Sequence, residues 1–232
     1  MTVIETKLAE EVAVQTRGLL FDMDGVLISS IGAVERSWKR WFAMHDVCNA
    51  SKFVLPHGTR AVDIVRMLKP GWDEAQVADG LRAIEDLEID DTDGLTTLPG
   101  AKALLEQLPP ARWAIVTSAT RRLLPARLAA VGLPVPERLI SGDMVKRGKP
   151  DPEPYRRGAE ILGLHPEECI VVEDAPSGLG AGLAAGSRVL AVLGTHNLGE
   201  LANATWVVES LEGLRATTLP DGLELRFSVA RD

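Results

Sequence analysis

The stretch Gly18-Leu19-Leu20-Phe21-Asp22-Met23-Asp24-Gly25 decides the fold. A short, unbroken apolar run passes directly into two acids and a glycine. An apolar run with no polar alternation is a strand buried on both faces, which is how strands of a helix-covered parallel sheet read. The same event recurs along the chain. Trp113–Val116 ends at Thr117 and Ser118, and Leu139–Ile140 ends at Ser141. Residues 170–172 end at Glu173 and Asp174, and 189–193 end at Gly194. Trp206–Val208 is a weaker sixth run. Helical patterns over 101–108, 123–131, 154–162 and 178–185 lie between most of them. Strand and helix in alternation predict an α/β fold, a doubly wound, Rossmann-like parallel sheet.

One connection breaks the rhythm. The chain between Asp22 and Trp113 far exceeds the dozen or so residues a crossover needs. The excess is rich in helix formers, with helices expected over 33–45, Ala61–Leu68 and 73–84. These patterns predict a helical cap domain, residues 28–95, inserted after the first strand. Residues 1–27 and 96–232 would form the α/β core domain, with Pro99 and Gly100 marking the re-entry. In the tail, Pro220-Asp221-Gly222 reads as a turn, and the alternation of Leu223, Leu225 and Phe227 reads as an edge hairpin.

Composition narrows the function. The 232 residues carry a formal net charge of −8, which argues against non-specific nucleic-acid binding, because that needs a basic face. No apolar run approaches the roughly eighteen residues of a membrane span. Residues 1–16 carry Glu5, Glu10 and Glu11 and lack the apolar stretch of a secretory signal. The two cysteines, Cys48 and Cys169, fit no metal-ligand or redox spacing. A cytoplasmic protein with reduced thiols is expected, with no protein partner implied.

The chemistry sits at the strand ends, where ligands of open α/β sheets bind. Asp22 can attack an electrophile covalently, and Asp24 can move a proton to and from the reacting oxygen. An isolated Asp-x-Asp is equally an acidic turn or a helix cap. Thr117, with the N–H groups that follow it, can hold phosphate oxygens or simply start a helix. Lys149, set between Gly148 and Pro150, can neutralise a transferring phosphoryl group. Glu173 and Asp174 are costly at a buried strand end unless paired or bound to a metal, and an all-oxygen donor set suits Mg²⁺.

Residues 113–120 (WAIVTSAT), 145–155 (VKRGKPDPEPY) and 171–178 (VVEDAPSG), following the FDMDGV of 21–26, resemble the haloacid dehalogenase superfamily. Within it the chain is most similar to the small-sugar phosphatases, including the glycerol-phosphate and 2-deoxyglucose-6-phosphate phosphatases. The likeness implies a phosphatase with Asp22 as nucleophile and metal ligand. Asp24 would be the acid/base and lend its carbonyl to Mg²⁺, and Thr117, helped by the Ser118 N–H, would bind phosphate. Lys149 would hold phosphate and nucleophile together. Asp174 would ligate Mg²⁺ directly, and Glu173 directly or through water. In the cap, residues 55–60 (LPHGTR) resemble a specificity loop in which Arg60 reaches hydroxyls or phosphate and His57 adds a hydrogen bond. Two departures stand out: Ser29-Ser30 where the family often has Asp-Ser, and Val26 where Thr is common. The implied substrate is a small sugar or polyol phosphate. The competing readings are a phosphoglucomutase-like phosphosugar mutase and a non-catalytic phosphometabolite-binding module.

Overall fold

The structure is a computed structural model and describes residues 11–48 and 50–230. The stretch 1–10, read above for the lack of a leader, lies outside the described residues. The described residues begin with β1 (Glu11–Thr16) and β2 (Gly18–Phe21), followed by β3 (Ile28–Ser29). Three helices come next: α1 (Ile31–Met44), α2 (Ala61–Leu68) and α3 (Glu74–Asp90). The chain then returns through β4 (Thr96–Thr97) to α4 (Ala101–Gln107), β5 (Trp113–Val116), α5 (Leu124–Ala130) and β6 (Leu139–Ile140). It continues with α6 (Glu153–Ile161), β7 (Cys169–Glu173), α7 (Pro176–Ala185) and β8 (Arg188–Val192). The last strands are β9 (Trp206–Val208), β10 (Arg215–Leu219) and β11 (Gly222–Ser228).

The predicted α/β architecture is present. Six parallel strands run in the order β6-β5-β2-β7-β8-β9. β2 pairs with β5 on one side and with β7 on the other. Successive strand side chains point to opposite faces, so Leu19 and Phe21 enter one apolar cluster and Leu20 the other. Both faces are thereby covered, which is why β2, β5 and β6 are apolar throughout and β7 carries its one acid, Glu173, at its last position. Chain order reverses across β2: the strands after the helical insertion build outward on one side, and β7 restarts on the other. This topological switch point opens the crevice at the carboxyl end of β2.

Above that crevice sit α1, α2 and α3, with a cluster of their own that includes Trp38, Trp41, Phe42, Ile64, Val65, Ile84 and Leu87. Trp41 is fully buried, and its indole N–H donates to the Gly80 carbonyl at 2.8 Å. α3 is started by a reciprocal cap, with the Gln76 N–H bonding Asp73 Oδ1 at 2.8 Å and the Asp73 N–H bonding Gln76 Oε1 at 2.9 Å. At the neck, β3 and β4 pair antiparallel, Ile28 opposite Thr97 and Ser29 opposite Thr96. The two chain crossings thus leave the core as one short ribbon.

The helical insertion follows β2, the first strand of the six-stranded sheet in chain order, and β1 belongs to another sheet. One expectation is corrected. The tail hairpin is not an edge of the main sheet. β11 is the central strand of a separate antiparallel sheet, β1-β11-β10, with Glu11 opposite Ser228 and Thr16 opposite Leu223. The Val12 and Val14 alternation carries the strand signal. Its partner lies at the opposite end of the chain, so nothing local announces the pairing. Among the described residues, no helix is long and apolar enough to cross a membrane.

Candidate active site

Each strand of the crevice delivers a polar group where its apolar run stops. Asp22 follows β2, its N–H bonding the Val172 carbonyl at 2.9 Å. Thr117 follows β5, its N–H bonding the Ile140 carbonyl at 2.9 Å. Glu173 ends β7 and Asp174 follows it. The backbone must then turn within a residue or two, and glycine makes this possible. Gly25 has φ +85°, and a Cβ there would lie 1.9 Å from Asp174 Oδ2. The Asp174 carboxylate therefore packs directly against the turn that releases Asp24.

Lys149 joins the acids. Its Nζ stands 3.0 Å from Asp22 Oδ1 and 2.7 Å from Glu173 Oε1, with the lysine side chain 1% exposed. Glu173 is saturated with hydrogen bonds. Its Oε1 also accepts from the Tyr155 hydroxyl at 2.8 Å, and its Oε2 accepts from the N–H groups of Asp174 and Ala175 at 2.9 and 3.1 Å. Asp174 Oδ2 accepts from the Thr195 hydroxyl. The His196 Nδ1 lies 3.1 Å from the Asp174 carbonyl.

Asp22, Glu173 and Asp174, all buried, bring ligand oxygens within 4.8 Å of one another. Burial pushes the Asp22 carboxyl up to about 7; Glu173 and Asp24 add to the rise and Lys149 opposes it. Burial also pushes Asp174 up to about 8, with Glu173 and Asp22 adding and Thr195 and Lys149 opposing. Burial works against the Lys149 charge as well, but Asp22 and Glu173 outweigh it and hold the lysine above its usual range. Three carboxylates thus face one ammonium. The remaining negative charge and the all-oxygen donor set fit a hard divalent cation. Because Glu173 already has four donors, a water-mediated contact is the one that leaves its hydrogen bonds intact.

These residues open on a cavity of about 860 Å³ beneath the helical cap. Asp22, Asp24, Thr117, Ser118 and Asp174 line its floor, and Val34, Trp38, Phe42 and Ile84 are part of its roof. His57 also lines it; its ring is 5.8 Å from that of His196, and burial and then His196 lower its pKa. The Ser118 hydroxyl donates to the Gly58 carbonyl at 2.6 Å and so ties floor to cap. Arg60 departs from expectation. Its guanidinium grips Asp63 and reaches the carbonyls of Gly142 and Val145 at 3.3 and 3.0 Å, and it is not among the cavity-lining residues. A Cβ on Gly148 would sit 2.7 Å from Arg60 Nε. The arginine lies against the loop that carries Lys149 and latches the cap to it rather than meeting the cavity. The cause is Asp63, one turn along: its carboxylate takes two guanidinium N–H groups and turns the remaining arm toward the core.

Sequence reasoning missed Thr195, Ser30, Arg127 and Glu88. Thr195 lies three residues past β8, behind Leu193 and Gly194, whereas Thr117 follows β5 directly, so the strand-end rule points only to its neighbourhood. Ser30 Oγ donates to Asp24 Oδ1 at 2.6 Å. In the sequence, Ser30 stands out only as part of the Ser29-Ser30 departure from the family pattern. Arg127, on α5, bonds Asp24 Oδ2 with one arm and Glu88 Oε2, at 2.9 Å, with the other. Glu88, on α3, is pushed up to about 7 by burial, Asp24 and Glu85 adding and Arg127 opposing. Nothing local in either helix distinguishes these two residues from surface charges.

Comparison with known proteins gives one family. Residues 16–186 match the haloacid dehalogenase-like hydrolase model. Hexitol phosphatase A of Escherichia coli is 43% identical over 208 residues, covering 89% of this chain and 96% of its own. The 2-deoxyglucose-6-phosphate phosphatase 2 of Saccharomyces cerevisiae is 31% identical over 210 residues, covering 82% and 85%. A hydrolase of known structure from Pseudomonas syringae superposes with a TM-score of 0.75 at 23% identity over 84% of this chain and 94% of its own, a likeness of fold. A buried Asp-Lys-Glu-Asp cluster at the switch point, under a helical insertion, thus occurs in a chain that belongs to the haloacid dehalogenase-like hydrolases.

Proposed function

We propose that the protein is a Mg²⁺-dependent phosphomonoester hydrolase that acts on a small sugar or polyol phosphate through an aspartyl-phosphate on Asp22. The observation that carries this reading is the placement of Lys149 Nζ between Asp22 and Glu173 in a buried cluster with Asp174. Such a cluster has little structural merit, because buried ion pairs seldom repay their desolvation. It has clear merit for a reaction whose catalysis is largely positioning and charge balance.

In the proposed reaction one Asp22 oxygen attacks phosphorus while the bond to the leaving oxygen breaks. Asp24, above the same crevice, gives its proton to that oxygen, and the alcohol departs. Asp24 then takes a proton from water, whose oxygen attacks phosphorus and breaks the bond to Asp22. The sum is ester plus water to alcohol plus inorganic phosphate. Lys149 stays charged throughout and holds Asp22 in place. Thr117 and the Ser118 N–H receive phosphoryl oxygens. The carboxylates of Asp22 and Asp174 and the Asp24 carbonyl would hold Mg²⁺, with Glu173 reaching it through water; when bound, the ion offsets negative charge on the phosphoryl oxygens. The polyol reading draws on the relatives, a hexitol phosphatase and a 2-deoxyglucose-6-phosphate phosphatase by name.

Asp22→Asn tests the assignment. Phosphate release from a panel of sugar and polyol phosphates, assayed with Mg²⁺, is expected to vanish while the unfolding transition persists. Turnover retained in the variant would overturn it. Following sugar isomerisation in the same panel separates a hydrolase from a mutase. Tight ligand binding with no reaction in the wild type would instead indicate a binding module.

A further inference from the structure

Asp24 is held on both oxygens, and the two holders differ in kind. Ser30 Oγ, at the neck of the cap, bonds Oδ1 at 2.6 Å, and Arg127, on the core helix α5, bonds Oδ2. Arg127 has a second arm, which bonds Glu88 Oε2 of the cap helix α3 at 2.9 Å. Arg127 and Glu88 are both nearly inaccessible, their side chains 7% and 8% exposed. Core acid, core cation and cap acid thus form one line across the cap–core boundary. All three residues line the cavity. Among the described residues, the other Lys or Arg that lines it, Lys39, is exposed and paired loosely with Glu35 at 3.6 Å.

A guanidinium is planar and rigid. One orientation of that plane serves two carboxylates at once, so the cap residue Glu88 sets the plane that Arg127 presents to Asp24. We infer that Arg127 is a positioning residue that turns the Asp24 carboxyl toward the leaving oxygen, and that Glu88 makes this orientation depend on closure of the cap. The inference rests on the proposed hydrolase reaction. Within it, the proton travels from Asp24 to the leaving oxygen as the bond between that oxygen and phosphorus breaks and the bond from Asp22 forms. A misdirected Asp24 slows this step most where the leaving group most needs the proton. An alkoxide needs it; p-nitrophenolate, a far weaker base, leaves almost unaided.

The test compares kcat/KM for glycerol phosphate and for p-nitrophenyl phosphate, using the full chain with Mg²⁺. Glu88→Gln keeps shape and removes charge, Arg127→Met removes the guanidinium, and Arg127→Lys keeps charge without the planar fork. The alkyl-to-aryl ratio is expected to fall about 10- to 100-fold in Arg127→Met, a part of the roughly 10²- to 10⁴-fold that a positioned acid supplies. It is expected to fall in the same direction, by less, in Glu88→Gln, with Arg127→Lys failing to restore it. Guanidinium ion added to Arg127→Ala should recover part of the ratio. A purely structural role would depress both substrates together and leave the ratio within about twofold of wild type. That result in Arg127→Met and Glu88→Gln would overturn the inference while leaving the hydrolase reading intact. A wild type that releases phosphate from neither ester nor from any member of the sugar and polyol phosphate panel would overturn both.

Discussion

Removing the charge of Lys149 tests the electrostatic logic of the site. Lys149→Met keeps the length of the side chain and deletes the ammonium from between two buried carboxylates. At an effective dielectric constant of 20, contacts of 3.0 and 2.7 Å correspond to gross attractions of about 5.5 and about 6 kcal/mol. Most of this is offset by desolvation, because all three groups are buried. The variant does not simply lose the pair; it leaves Asp22, Glu173 and Asp174 facing one another uncompensated. Breaking a buried pair in this way costs about 3–5 kcal/mol, a large share of the total stability of a domain. The cost depends on pH. When Asp22 and Asp174 are charged, removing Lys149 is expensive. When they are protonated, the wild-type lysine is itself a buried charge with fewer partners, and its removal is cheap. The loss should therefore grow as pH rises through about 7 and about 8, the values to which the two carboxyls are pushed. The assay is urea unfolding of metal-free wild type and variant at pH 5.5 and pH 8. With a slope of about 2 kcal/mol per molar, the midpoint should drop by about 2 M at pH 8 and by less than half that at pH 5.5. Equal shifts at the two pH values, or a loss under about 1 kcal/mol at pH 8, would refute the reasoning.

The same shifts bear on the metal. Asp22 and Asp174 are raised from an ordinary 3.8, so the folded state binds more protons than the unfolded chain above about pH 4, and the stability they contribute is lost as pH rises through 7 to 8. Metal-free protein should thus weaken from pH 6 to pH 8, and saturating Mg²⁺ should raise the melting temperature more at pH 8 than at pH 6. A Mg²⁺ effect that is larger at pH 6 would contradict the ligand assignment. Arg60→Ala frees the carbonyls of Gly142 and Val145 and loosens the cap from the Lys149 loop. Its kcat/KM should fall about 10-fold for glycerol phosphate and p-nitrophenyl phosphate alike, since closure comes before contact with either. A loss confined to the polyol ester would return Arg60 to substrate contact.

The sequence alone was enough to bring the strand-end acids and threonine to one crevice. Asp22, Thr117, Glu173 and Asp174 were legible because a strand buried on both faces keeps polar residues to its ends, and three such ends, of β2, β5 and β7, occur in order. The helical insertion was legible for a similarly local reason, an overlong connection with helical periodicity. Lys149 was legible as a cation in a loop stiffened by proline. Only the tertiary structure decided what those residues touch and how the cap is held. Arg127 meets Asp24 across 103 positions and Glu88 across 39. Arg60 was spent on a latch that depends on where the loop after β6 lies. β1 found its partner at the far end of the chain. Hydrophobic periodicity sets which face of an element is buried and carries no information about which charge will face which. That is fixed by the angle and distance at which whole elements pack, and it emerges only when the cap and core clusters are assembled against each other.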